Sequence, residues 1–427
     1  MPAALPTVEL DRKTTSEMET SVTSRVQNVL ISGCGVAGPA LAYWLHRYGF
    51  TPTVVERAPQ IRTGGYRLQL DAIVQEPLNR LGILSEARAV GGGLVSMRLI
   101  SGPNNRAATY PASPSDTSLA IRRGDLSELI YRRSKDTVEY IFGDAITAIE
   151  QRPGGARVEF EHAPAREFDL VIGADGLHST VRELVFGTKD RFLRYMDSYL
   201  FLTAIDNYLG VRDLLTVRRE HRRGSALTTF PGNEELELLF MVRTHEPPGP
   251  GPRDEQTQKQ LMDSAFAADG WEAPTMLHKM WDASDYYFGR VAQVRMDRWV
   301  QGRVALVGDA GYCPDPMTGA GTASALVGAC VLAGELAAAG GDHSIALPSY
   351  QSKVAKFVRG NQDFVDTSLD LFASAAKDDK RFRMENLMYS GMLRAAALAA
   401  RFGVDATGYS RATKQIQLPD YSQYVTR

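Results

Sequence analysis

The sequence predicts an α/β protein with a nucleotide-binding domain, an antiparallel sheet inserted into it, and a helical C-terminal segment. Three observations predict this. The glycine turn Gly33-x-Gly35-x-x-Gly38 stands between a strand-like run and a helix-like run. Strand-like stretches dominate residues from about 190 to 289. From Lys377 to about Phe402 the pattern is helical.

Composition narrows the function classes. At ~100–200 residues per domain, 427 residues suggest two or three domains. With 48 basic and 50 acidic side chains the net charge is −2, so no long-range field draws nucleic acid or an anionic membrane. The cysteines Cys34, Cys313 and Cys330 are odd in number and form no Cys-x-x-Cys pair. They read as reduced thiols of a cytoplasmic protein, with no metal site. Residues 1–25 are polar and charged, lack the apolar core of a secretory signal, and read as a flexible tail. No uncharged apolar run reaches the roughly 18 residues a spanning helix needs.

Taken in order, residues 26–31 form a short apolar run that reads as a buried strand. Residues 39–48 place Leu41, Trp44, Leu45 and Tyr48 at helical spacing, and Gly49 ends the helix. Residues 53–55 are a second strand with Glu56 at its end, which completes a βαβ unit of about 30 residues. Residues 97–110 read as a hairpin turning at 102–105, and 125–133 as a helix. Strands are expected around 138–142, 145–151, 157–161 and 168–172. In the inserted region they are expected at 198–205, 225–230 and 236–243, with a turn at Pro231-Gly232-Asn233 and a loop over 246–253. Residues 303–307 return to the first domain as a strand, and 322–339 are a long apolar helix. The apolar stretch 387–400 is interrupted by Arg394 and too short to span a bilayer; it is expected to pack across the two domains.

The glycine turn carries the first chemistry. Gly33 permits a tight turn, Gly35 lets the backbone approach a pyrophosphate, and Gly38 lets helix and sheet pack closely. The phosphates then sit at the positive end of the helix, beside Val36 and Ala37. Glu56, 23 residues after Gly33 and followed by Arg57, is placed to accept hydrogen bonds from ribose hydroxyls. This pattern alone does not separate NAD from FAD. A second segment does: strand 303–307 leads into Asp309, then a loop with Pro316, then Gly319-Ala320-Gly321-Thr322 opening a helix. The acid can hold a ribityl or ribose hydroxyl, and the helix-opening amides can face the negative charge of a reduced flavin ring. In a third segment a buried strand ends in Gly173-Ala174-Asp175-Gly176, with Asp175 toward the cofactor and Ser179 as helix cap. His178 reads as a loop histidine rather than a general base.

In this order the three segments resemble the single-component FAD-dependent aromatic hydroxylases of the para-hydroxybenzoate hydroxylase fold. Gly308-Asp309, Pro316, Gly319 and Gly321 match that family's late motif position by position, and the resemblance covers about residues 26 to 375. It implies a doubly wound FAD-binding domain (26–98, 112–189 and 290–375) and a substrate-binding sheet domain (99–111 and 190–289), with 376–427 as C-terminal helical segment. Arg123 matches the family's FAD-contacting arginine. Gly64-Gly65 and residues 66–70 are similar to the strand beside the flavin in tetracycline-inactivating members. Two positions depart: Gly311-Tyr312 stands where the family has Ala-His, and Ala323 where it has Asn. Such variants are similar to enzymes that tailor natural products, which implies a role in antibiotic biosynthesis.

The resemblance implies reduction of FAD by NADPH or NADH without a second nucleotide-binding domain, and transfer of oxygen from a flavin hydroperoxide to an aromatic or polycyclic small molecule. No catalytic side chain is assigned. Gln69, Phe230, Phe240 and Met241 are candidates for the substrate wall because they lie on strands that can face the ring. The enzyme is expected to be a monomer or homodimer. Epoxidation, Baeyer–Villiger-type or oxidase chemistry on the same fold is one alternative; an FAD-binding protein with a non-redox role is another.

Overall fold

The computed structural model describes residues 25–70, 72–93, 96–101, 105–110, 119–245, 251–376, 378–401 and 416–426. Nearly all of the expected N-terminal tail, most of the turn at 102–105, much of the loop at 246–253 and the end of the C-terminal segment lie outside the described residues.

Runs of β-branched and aliphatic residues buried on both faces form the inner strands of a six-stranded sheet. Its order is Val300–Gln301, Val304–Leu306, Leu170–Gly173, Asn28–Ser32, Thr51–Glu56, Glu139–Phe142, parallel except at the first pair. The chain moves outward from Asn28–Ser32 on one side, then returns to extend the sheet on the other side. The order therefore reverses between Asn28–Ser32 and Leu170–Gly173, as in a doubly wound fold, and ligands bind at such a switch point. Helix Ala37–Arg47 packs against helix Gly321–Ala338. The latter is apolar all round, with mean hydropathy 1.5, and 78% of it is buried, so it is a core helix. The three cysteines are free and buried.

A seven-stranded sheet follows the order Tyr286–Val294, Leu193–Asp206, Glu235–Arg243, Arg223–Thr229, Leu214–Glu220, Ser96–Ser101, Arg106–Tyr110. Strand alternation gives it two unlike faces. Phe201, Leu238 and Phe240 meet Met262, Phe266, Met276 and Met280 from helices Glu255–Phe266 and Ala273–Asp282. Leu200, Leu202 and Met241 meet Tyr66, Met317, Val365 and Leu369.

Three expectations change. The single strand over 168–172 is two: Arg166–Phe168 pairs antiparallel with Gly155–Phe160, and Leu170–Gly173 joins the parallel sheet. Asp169 makes the switch, its carboxylate accepting the amides of Gln27 and Asn28 at 2.8 and 2.7 Å. Strands Leu214–Glu220 and Tyr286–Val294 were not expected. Helix Asp379–Arg401 docks through Phe382, Glu385, Asn386 and Tyr389 around Arg219 of the seven-stranded sheet. It leaves Met384, Leu387, Met388 and Met392 exposed, so among the described residues it lies on one sheet rather than across two domains.

Candidate active site

The glycine turn leaves strand Asn28–Ser32 at the switch point. Gly33 has φ +108°, and a Cβ there would stand 2.5 Å from the Ala174 carbonyl oxygen. A Cβ on Gly38 would stand 1.9 Å from the Gly33 carbonyl oxygen. Both are glycine because backbone passes against them. Gly35 differs: its Cβ would meet nothing closer than the Arg123 guanidinium at 3.6 Å. Gly35, Val36, Ala37 and Arg123 border a cavity of about 850 Å³. The Glu56 carboxylate is fixed by the amides of Cys34 at 2.7 Å and Ala58 at 2.9 Å. Each oxygen keeps acceptor capacity for a hydroxyl. Arg57 beside it is exposed.

On the other side of the switch point, Asp175 caps helix Thr180–Phe186. One carboxylate oxygen accepts Thr180 N at 2.8 Å and Val181 N at 3.1 Å, and Ser179 accepts Arg182 N at 3.0 Å. The other Asp175 oxygen is buried without a partner among the described residues, and burial pushes the carboxyl above its ordinary range. Arg182 is fully buried and donates to the carbonyls of Ala310 at 2.8 Å and Leu177 at 2.7 Å. It fastens the Asp175 loop to the Asp309 loop, a role the sequence reading did not assign. His178 lies on the cavity border; burial and the nearby Lys189 and Arg182 lower its pKa.

Asp309 is enclosed at the base of the cavity, where burial pushes its carboxyl up and Arg123 pulls it down. A Cβ on Gly321 would lie 3.6 Å from its Oδ1, so the acid faces the opening of helix Gly321–Ala338. Asp315 adopts φ +100° and accepts Met317 N at 2.6 Å and Thr318 N at 3.1 Å, which shapes the turn leading to Gly319. Pro316, Gly319, Gly321 and Thr322 border the cavity, and Ala320 is buried between them. Tyr312 turns away into the core and shares a hydrogen bond of 2.9 Å with Tyr350. Gly328 makes room for it, since a Cβ there would stand 1.9 Å from the Tyr312 hydroxyl.

The proposed substrate wall divides. Met241 faces Tyr66 and Met317. Phe240, its neighbour, points to the opposite face and packs on Phe266 with ring centroids 4.4 Å apart. Phe230 is buried under the Arg122 guanidinium, 4.0 Å from ring centroid. Gln69 pairs with Ala120 in a two-stranded ladder, Arg67–Leu70 with Leu119–Arg122. None of the four borders the 850 Å³ cavity; its sheet side is Leu202, Tyr287, Phe288, Gly289 and Arg290. In the run Tyr286-Tyr287-Phe288 it is Tyr287 that turns its ring toward Tyr66, whereas Tyr286 and Phe288 stack on Phe201 and Tyr199 on the opposite face.

Residues 26–365 match the FAD binding domain family. A flavin-dependent monooxygenase of Legionella longbeachae serogroup 1 (strain NSW150) is 34% identical over 340 residues, which are 79% of this chain and 87% of that one. An uncharacterised protein of Mycobacterium tuberculosis (strain ATCC 25618 / H37Rv) is 38% identical over 357 residues, 81% of this chain and 94% of that one. The crystal structure of tetracycline destructase Tet(55) superposes with TM-score 0.77 at 33% identity, covering 93% of this chain and 99% of that one. The chain belongs to the FAD-binding monooxygenase family and is a flavin-dependent monooxygenase.

Proposed function

We propose that the enzyme consumes NADPH or NADH and O2 to place one oxygen atom on an aromatic or polycyclic, natural-product-like substrate. The observation that carries this reading is the single cavity of about 850 Å³ bordered by all three cofactor segments and by an aromatic sheet wall. The residues present fit FAD. Gly35 offers a cradle that a Cβ would fill. The Asp309 carboxylate is enclosed where a hydroxyl can reach it.

In this reading the amides of Val36 and Ala37, at a helix N-terminus, and the Arg123 guanidinium hold the pyrophosphate. Glu56 takes ribose hydroxyls and Asp309 a ribityl hydroxyl, while Asp175 orients the loop between them. When bound, FAD supplies hydride acceptance and oxygen activation. The Pro316 and Gly319–Gly321 turn positions the reacting end, and its amides favour negative charge there. Tyr287, which packs edge-on to Tyr66, excludes water from the opposite wall. A ring-bearing substrate is supported by that aromatic wall and by the likeness to a structure named a tetracycline destructase.

Screening phenols and polycyclic aromatics for substrate-dependent NADPH consumption, with product mass, tests the reading. At least one ring compound should gain one oxygen atom. Consumption with no oxygen incorporated into any ring would favour oxidase chemistry instead.

A further inference from the structure

Helix Asp379–Arg401 sorts its side chains into two unlike faces. At about 100° per residue, Phe382, Glu385, Asn386 and Tyr389 fall on one side, and these are the residues gathered around Arg219 of the seven-stranded sheet. Met384, Leu387, Met388 and Met392 fall on the other side and are between 51% and 75% exposed. Gly391 and Ala395 lie among them and are exposed as well, so no polar side chain interrupts the stripe over residues 384–395. A single exposed apolar residue is ordinary, but a contiguous stripe marks a surface that meets something.

The free charges around the stripe have one sign. Arg383 and Arg394, about three turns apart, line one edge, and Lys380 and Arg381 stand at its N-terminal end; all four are exposed. Arg381 reaches Glu385 at 3.5 Å, whereas Lys380, Arg383 and Arg394 have no ion-pair partner among the described residues. The nearby acids are committed elsewhere. Glu385 takes Arg219 and the Ser374 hydroxyl, Asp370 pairs with Arg243, and Asp378 accepts the Arg381 amide at 2.8 Å at the helix start. Arg106, exposed on the neighbouring strand Arg106–Tyr110, adds to the same sign. The net charge of −2 gives the chain no long-range attraction to an anionic surface. Within a screening length of about 10 Å, however, this helix is basic.

An apolar stripe edged by cations selects among occupants. A second copy of the chain would bring an equally basic patch against this one, because an isologous interface pairs a surface with itself. Four apolar side chains also fall well short of the roughly 800 Å² per partner that a stable dimer buries. An anionic bilayer supplies both missing parts: acyl chains for the methionines and leucine, and phosphates for the lysine and arginines. We propose that helix Asp379–Arg401 is a membrane-surface element that lays the stripe over residues 384–395 on an anionic lipid bilayer. It lies in the headgroup layer and does not span, since its other face stays on the sheet through Phe382, Asn386 and Tyr389. Binding of this kind is independent of the reaction catalysed.

The test is flotation of the full-length, FAD-loaded enzyme with two kinds of vesicle. One is phosphatidylcholine alone; the other carries about one third phosphatidylglycerol, which gives the surface its negative potential. The wild type should float with the anionic vesicles and stay behind with the neutral ones. It should be released as salt rises from about 0.05 to 0.5 M, because screening weakens the attraction. The double variants Leu387→Asp with Met388→Asp, and Arg383→Glu with Arg394→Glu, remove the apolar and the basic part separately. Each should lower the partition coefficient roughly 10- to 100-fold. These side chains are exposed, so circular dichroism and flavin absorbance per chain should match the wild type. A wild type that ignores anionic vesicles, or floats equally with neutral ones, overturns the proposal, as do variants that float as the wild type does. If the wild type does not float but sediments as a dimer that Leu387→Asp with Met388→Asp splits, the stripe is an interface between copies instead.

Discussion

The turn glycines divide by what they face, and the division is testable. Gly38 faces backbone, with room for no side chain, so Gly38→Val should fail to fold. Gly35 faces the cavity, so Gly35→Val should fold and lose its flavin, because the new methyls occupy pyrophosphate space. Circular dichroism and flavin absorbance per chain measure both; a folded Gly35→Val enzyme with full flavin content would place the cofactor elsewhere. Glu237 gives a pH dependence. Burial raises its carboxyl from the ordinary 4.5 to about 7, with Arg67 and Arg122 opposing. The native state therefore binds more protons than the unfolded chain between those values, and stability contributed by this group falls as pH rises from 4.5 to about 7. The loss is at most roughly 3 kcal/mol, from 1.36 kcal/mol per unit. Glu237→Gln should flatten the stability curve in that window, measured by urea unfolding of the ligand-free enzyme at several pH values. A slope equal to the wild type's would mean that this carboxyl is not displaced.

At the scale of elements, the site depends on how two loops are joined. Arg182 ties the loop after Leu170–Gly173 to the loop after Val304–Leu306 through two carbonyls. Arg182→Met should cost roughly 3–5 kcal/mol, from two charge-assisted hydrogen bonds and a broken buried site. Calorimetry of the flavin-free protein should show a melting temperature lowered by several degrees; an unchanged value would make Arg182 incidental. The arginine was visible in the sequence, but its partner Ala310 lies 128 residues away. That distance marks the limit of what was legible. The Gly33–Gly38 turn and the Asp309–Gly321 segment could be read directly, because strand, loop and helix signals there are local. The faces of Phe240 and Met241 could not, since alternation separates the two but does not say which one meets Phe266. Helices Glu255–Phe266 and Ala273–Asp282 were missed although Met262/Phe266 and Met276/Met280 repeat at helical spacing. The strand-rich surroundings dominated the reading. Asp169, which splits one apolar run between two sheets, acts through pairings that no local pattern contains.

At the scale of the whole molecule one cavity is bordered by the cofactor segments and by the seven-stranded sheet, and under the proposed function this would shape how reducing equivalents are used. Under the proposed function a nicotinamide would reach the flavin through the cavity that the cofactor segments border. The same cavity is bordered by the cofactor segments, by Leu202 and Tyr287 of the seven-stranded sheet, and by His178, Lys189 and Arg253. In the proposed function reductant, flavin and substrate would share this connected space. A substrate that fills the sheet side changes which arrangements of the flavin end are populated, and it can do so only by its differential affinity for them. Reduction by NADPH should accordingly be slow alone and accelerate when the right ring compound binds, which prevents loss of electrons to hydrogen peroxide. Stopped-flow bleaching of the flavin with and without substrate measures the effect. An acceleration of tenfold would require a population shift of about 1.4 kcal/mol, well within the binding energy of a ring buried against Tyr66 and Tyr287. Reduction that is already fast without substrate would separate the two sheets functionally, and the oxidase reading would then replace ring oxygenation.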